Sequence, residues 1–136
     1  MTREKLPADR RGITHRFTIT EQNGDRHKIF MTVNNYPDEP TRAAEVFITS
    51  AKEGSTIGGL LDTIGVLMSF CLQHGVPLRL IVDKLSHTRF EPSGVTENPE
   101  IRFTSSIVDY IARWMGRHFL GDASPTELDH GGKEES

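Results

Sequence analysis

The sequence predicts an α+β fold: a three-stranded antiparallel meander covered by two long helices and one short helix. Three observations predict it. Residues 13–50 hold three stretches in which apolar and polar side chains alternate with the period of a half-buried strand. Residues 57–74 place Ile57, Leu60, Leu61, Ile64, Leu67, Met68, Cys71 and Leu72 at the i, i+3, i+4, i+7 spacing of one buried helix face. Helical spacing returns in Ile107, Val108, Ile111, Trp114, Met115 and Phe119.

The first dozen residues are polar, contain Leu6-Pro7 and read as an irregular lead-in arm. From Ile13 to Thr20, the inward series Ile13, His15, Phe17, Ile19 alternates with Thr14, Arg16, Thr18, Thr20. Asn23-Gly24 then supplies a hairpin turn, and a second strand, His27 to Asn34, carries Ile29, Met31 and Val33 on one face. The connection from Asn34 to Pro40 leads to a third strand, Ala43 to Ser50. Turns this short leave no room for crossovers, so the strands run antiparallel, and their apolar face needs a cover. The helix from Ile57 to about His74 supplies it, with Ser55 or Thr56 as N-cap, Gly75 as C′ and Pro77 as a stop.

Pro77 also fits the first position of a second, shorter helix in which Leu78, Ile81, Val82 and Leu85 share a face. A strand over Leu78 to Val82 is the competing reading, on β-branched content. Ser86 to Glu100 is rich in turn formers and reads as loop. The last helix begins near Thr104, capped by Thr104, Ser105 or Ser106, and ends at Gly121. Residues 121–136, with Pro125 and two adjacent glycines, read as a disordered acidic tail. The domain proper therefore spans residues 13–120.

Charge and cysteine usage narrow the function classes. The net charge is −3, and residues 121–136 carry five acids against Lys133, so the rest of the chain sums to +1. Such a balance lacks the basic excess of nucleic-acid or membrane-surface binders. One thiol, Cys71, permits neither an internal disulfide nor a Cys-x-x-Cys zinc site. The six histidines, at 15, 27, 74, 87, 118 and 130, show no ligand spacing, so no metal is expected. No apolar run approaching the ~20 residues that span a bilayer stands out, and the charged start is not a secretory signal. A cytoplasmic protein is expected.

No catalytic residues follow from spacing, but two stretches are candidates for binding. In Lys52-Glu53-Gly54-Ser55-Thr56 a helix N-terminus presents free amides and a partial positive charge to an anion, Gly54 permits close backbone approach, and Lys52 adds a cation. Plain helix capping is the simpler account of that turn. In the loop after residue 83, Lys84, His87, Arg89 and Glu91 could meet an anionic ligand or a protein partner. Charges solvated or paired among themselves are the simpler account there.

Several runs go further. Ile48-Thr49-Ser50-Ala51-Lys52-Glu53-Gly54-Ser55-Thr56-Ile57-Gly58-Gly59-Leu60, Gly75-Val76-Pro77-Leu78 and Val82-Asp83-Lys84-Leu85-Ser86-His87-Thr88-Arg89-Phe90-Glu91-Pro92-Ser93-Gly94 resemble the C-terminal TSCPD-type domain of adenosylcobalamin-dependent ribonucleotide reductases. Asn98-Pro99-Glu100-Ile101-Arg102, Ser106-Ile107-Val108-Asp109-Tyr110-Ile111 and, upstream, Leu6-Pro7 and Thr14-His15-Arg16-Phe17 extend the resemblance over roughly residues 5–120.

The resemblance implies a role connected with deoxyribonucleotide synthesis. The family converts ribonucleotides with a barrel-borne radical cysteine and reducing cysteine pairs. This chain has neither barrel nor dithiol, so adenosylcobalamin is expected to belong to the full-length family and not to be bound here. The expected function is an accessory or regulatory module that binds a reductase catalytic chain or a nucleotide. The alternatives are an essential detached component of a split reductase, or an unrelated small anion- or protein-binding module. Pairing of subunits through the sheet edge is left open.

Overall fold

The computed structural model describes residues 2–50 and 54–123. Strands β1 (Arg11–Thr20), β2 (Arg26–Asn35) and β3 (Ala43–Ser50) are followed by helices α1 (Ser55–Gln73) and α2 (Leu78–Leu85). Strands β4 (Gly94–Thr96) and β5 (Phe103–Thr104) come next, and helix α3 (Ile107–Leu120) follows them. The sheet is antiparallel with the order β3-β2-β1-β4-β5.

The meander is present where the alternation places it, with Phe17 opposite Ile29 and Met31 opposite Ile48. Glu21 and Asp25 close the hairpin, and Gly24 takes the left-handed conformation (φ +93°) that the turn needs. The expectation of three strands is corrected to five. Gly94 brings β4 against β1, where Ile19 pairs with Thr96. A Cβ at Gly94 would stand 2.1 Å from the Thr20 carbonyl oxygen, so this junction requires glycine.

One apolar layer lies between the sheet and the helices. Ile19, Ile29, Met31, Val33, Val46 and Ile48 face Leu61, Met68 and Leu72 of α1, Ile81 and Val82 of α2, and Ile107, Ile111, Met115 and Phe119 of α3. The segment 78–85 is a helix, which settles the helix-or-strand alternative, and it packs on α3.

Two terminal assignments change. The N-cap of α1 is Gly54, not Ser55 or Thr56, and no side chain caps that end. Pro77 is the extended N-cap of α2 rather than its first residue (ψ 137°). Other punctuation holds: Gly75 (φ +90°) and Gly121 (φ +71°) are left-handed past their helices, and Ser106 caps α3 by accepting from the Asp109 amide. Of the two other cap candidates, Thr104 belongs to β5 and Ser105 precedes the cap. The lead-in arm contains no regular element from residue 2 to residue 10. It is held nonetheless, because the Glu4 amide donates to the Gln73 carbonyl and Tyr36 donates to the Glu4 carbonyl. The tail expected to be disordered lies, from residue 124 on, outside the described residues.

By length and composition α1 is apolar enough to cross a membrane, which corrects the expectation that no run approaches that measure. Here it lies along β3, one of the two edge strands of the sheet.

Candidate functional site

The charged loop after α2 is built on a residue at the start of α3. His87 adopts a left-handed backbone (φ +68°), and its amide donates to one oxygen of the Asp109 carboxylate. The other oxygen accepts from the Ser105 amide at 2.9 Å, the Thr104 hydroxyl at 3.0 Å and the Arg113 guanidinium at 3.0 Å. Burial pushes the Asp109 carboxyl up, but the Ser105 and His87 amides, the Arg113 charge and the Thr104 hydroxyl outweigh it, so its pKa lies below the ordinary value. A carboxylate in the first turn also meets the positive end of the helix. The loop is sewn down further where Ser106 donates to the Thr88 carbonyl and the Phe90 amide donates to the Ser105 carbonyl.

Lys84, which the structure places in the last turn of α2 and not in the loop, is exposed, as are His87, Arg89 and Glu91 on the anchored backbone. The neighbouring Arg79–Asp83 ion pair on α2 involves none of the four. These four side chains therefore face solvent.

At the other candidate turn, Gly54 is extended (φ −65°, ψ 171°) and exposed, as are Ser55 and Thr56. The first turn of α1 contains no acid. No side chain caps that end among the described residues. Lys52 and Glu53 lie outside the described residues.

Sequence reasoning missed a polar cleft between β1 and α3. His15, Asn98, Glu100, Tyr110 and Trp114 line a space of about 380 Å³, and Glu100, Trp114, Arg117 and His118 line a neighbouring one of about 400 Å³. Trp114 is stacked between two imidazoles, with centroids 5.1 Å from His15 and 4.7 Å from His118. The Tyr110 hydroxyl accepts from Asn98 at 2.9 Å and lies 2.8 Å from His15 Nε2. With that acceptor role taken, the hydroxyl is free to donate to His15 as a neutral imidazole. Burial, and secondarily the field of His118, lower the His15 pKa and favour that neutral form. Burial also pushes Tyr110 up to about 12. The available signal was His15 standing in the inward-facing series of its strand, with Trp114 and His118 four residues apart on one helix.

The remaining feature is α1 itself. Ser69 accepts from the Val46 amide at 2.8 Å, and Gln73 donates to the Ala44 carbonyl at 3.0 Å, so the helix seals part of the free edge of β3. Leu61, Met68 and Leu72 are buried, but Leu60 and Leu67, expected on the same buried face, are more than half exposed, as are Val66, Phe70 and Phe47 on β3, which corrects that expectation. Cys71, the one thiol, is half-buried and packs against the core.

Comparison with known proteins places these features in a family. The model of the TSCPD domain matches residues 2–119. The vitamin B12-dependent ribonucleotide reductase of Rhodopirellula baltica is 51% identical over 126 residues, which is 91% of this chain and 11% of the relative. The protein of the same name from Streptantibioticus cattleyicolor is 43% identical over 118 residues, 87% of this chain and 18% of the relative. That of Bradyrhizobium diazoefficiens is 36% identical over 131 residues, 92% and 10% respectively. The chain thus spans between a tenth and a fifth of the length of these curated relatives. No solved structure gives a significant match. With almost every described residue inside one domain match, and that segment recurring within far longer reductases, the chain belongs to the TSCPD domain family.

Proposed function

We propose that this chain is an accessory or regulatory module of a B12-dependent ribonucleotide reductase, acting by association with the catalytic chain and not by reducing ribonucleotides itself. The observation that carries this reading is the thiol inventory. Reducing a ribose takes two electrons, which a dithiol supplies, and this sequence has Cys71 alone, packed against the core. The family match supports the reductase connection.

Adenosylcobalamin is the group the family implies. The clefts of about 360, 380 and 400 Å³ sit at the small end of ligand pockets. A corrin macrocycle with its nucleotide loop and adenosyl group fits none of these three clefts among the described residues, and in this reading the cofactor belongs to the catalytic chain. In this reading the protein works in the cytoplasm. Its contacts are the turn at Lys52, Glu53, Gly54, Ser55 and Thr56, for a nucleotide phosphate, and the side chains of Lys84, His87, Arg89 and Glu91. The uncapped, acid-free start of α1 supports the first assignment; four exposed side chains in and beside the anchored loop support the second.

Ribonucleotide turnover by the source organism's catalytic chain, measured with and without this protein, tests the reading. A graded change supports regulation. An absolute requirement favours a detached component of a split reductase. Absence of co-elution, together with no chemical-shift change on adding ATP or dATP, overturns both in favour of an unrelated small binding module. Lys52→Ala should weaken nucleotide binding, and unchanged affinity would retire the phosphate contact.

A further inference from the structure

The outward face of α1 is built unlike the exposed side of an ordinary surface helix. A helix lying on a sheet normally turns charged residues to water, but Asp62 is the one charged residue from Ser55 to Gln73. Leu60 is 58% exposed, Val66 60%, Leu67 57% and Phe70 53%, while Leu61, Met68 and Leu72 fill the inner stripe. Phe47, 52% exposed, lines the same groove as Val66 and Phe70.

Resting on the reading of an accessory module, we propose that this face is its docking surface, received by an apolar groove on the reductase catalytic chain. Strand addition at β3 is disfavoured, because Ser69 and Gln73 already occupy the outward groups of Val46 and Ala44. A lipid surface fits less well, since amphipathic membrane-surface helices carry Lys and Arg and α1 has neither. Nineteen residues make a helix about 28 Å long, and a strip roughly 10 Å wide along it gives on the order of 300 Å², below the ~800 Å² per partner of a stable interface, so a partner must reach beyond the helix to the neighbouring Phe47.

A groove that wraps the helix from both sides, and reaches Phe47, covers more of the surface than a second convex helix does. The matched relatives carry this segment covalently within chains it fills only to 10–18%. There a tether raises the effective concentration, so a small apolar face suffices.

The test measures affinity of the full chain for the source organism's catalytic chain by calorimetry. Wild type is compared with Leu60→Glu/Leu67→Glu and with Val95→Glu, whose site is exposed on β4 beyond β1. Docking through α1 predicts affinity at least about tenfold weaker for the double variant and unchanged for Val95→Glu. Equal affinity of wild type and double variant overturns the inference while leaving the accessory reading standing. No binding by wild type removes the reading itself. Circular dichroism checks folding, and if the double variant melts early, Leu67→Ser takes its place with a loss of about threefold or more. A dimer in light scattering, or co-sedimentation with phosphatidylglycerol vesicles, that the substitutions abolish would assign the face to another occupant and overturn the proposal.

Discussion

Four donors converge on the Asp109 carboxylate: two backbone amides, a hydroxyl and a guanidinium. Removing a buried charge so fully partnered strands every one of them, so Asp109→Ala is expected to cost about 3–5 kcal/mol in urea unfolding and to speed amide exchange at His87 and Ser105. Its depressed folded pKa makes a contribution that is present above the unfolded value, near 3.8, and lost as pH falls through the folded value. Wild type should therefore show an acid-side loss of stability that Asp109→Asn lacks. The His15 pKa is also depressed, by burial first and then by His118. A histidine held neutral contributes stability above its unfolded pKa, near 6.5, and loses it as pH falls below that value. The melting temperature of wild type should drop more between about pH 7.5 and about pH 5.5 than that of His15→Gln; equal drops would contradict the neutral assignment. The inward position of His15 was legible in the sequence, but the environment of Asp109 was not. Asp109 reads there as a polar break between Val108 and Tyr110, and its tie to His87 joins residues 22 positions apart.

At the scale of elements, α1 separates two kinds of glycine. A Cβ at Gly65 would meet the Val46 carbonyl oxygen at 2.8 Å, whereas Gly58 and Gly59 have nothing within 4 Å. Alanine is worth up to about 1 kcal/mol over glycine in a helix, so Gly58→Ala and Gly59→Ala should stabilise by part of that amount. Gly65→Ala should instead destabilise by about 1–3 kcal/mol, because backbone cannot yield as a side-chain tip does. Thermal melts of the three variants check the contrast. The glycines look alike in the sequence, since the difference is made by a strand some twenty residues earlier. Period-two and period-3.6 patterns made β1, β2, β3, α1 and α3 legible, each being long enough to repeat. Strands β4 and β5, of three and two residues, are too short to show a period, and their turn formers and charges read as loop. The candidate site divides similarly: the exposed loop charges were legible, but Asp109, which anchors them, and the His15–Tyr110 cleft depend on tertiary contact.

Across the whole molecule, several arginines are paired with carboxylates among the described residues. Arg10 meets Glu45, Arg42 meets Glu4 and Glu39, Arg79 meets Asp83 and Asp122, and Arg117 meets Glu100. Outside residues 121–136 the chain sums to +1. Such a surface projects little long-range field, and exposed pairs like these add little stability. Two proposed contacts then predict opposite responses to salt. Docking through the apolar face of α1 should leave the dissociation constant for the catalytic chain within about threefold between ~50 mM and ~500 mM sodium chloride, since burial of Leu60, Leu67 and Phe70 releases no screened charge. Docking through Lys84, His87, Arg89 and Glu91 should weaken by about tenfold or more over the same range, because screening acts on every exposed charge involved. Calorimetry at the two salt concentrations distinguishes them, and a steep loss of affinity would move the interface from the helix to the loop.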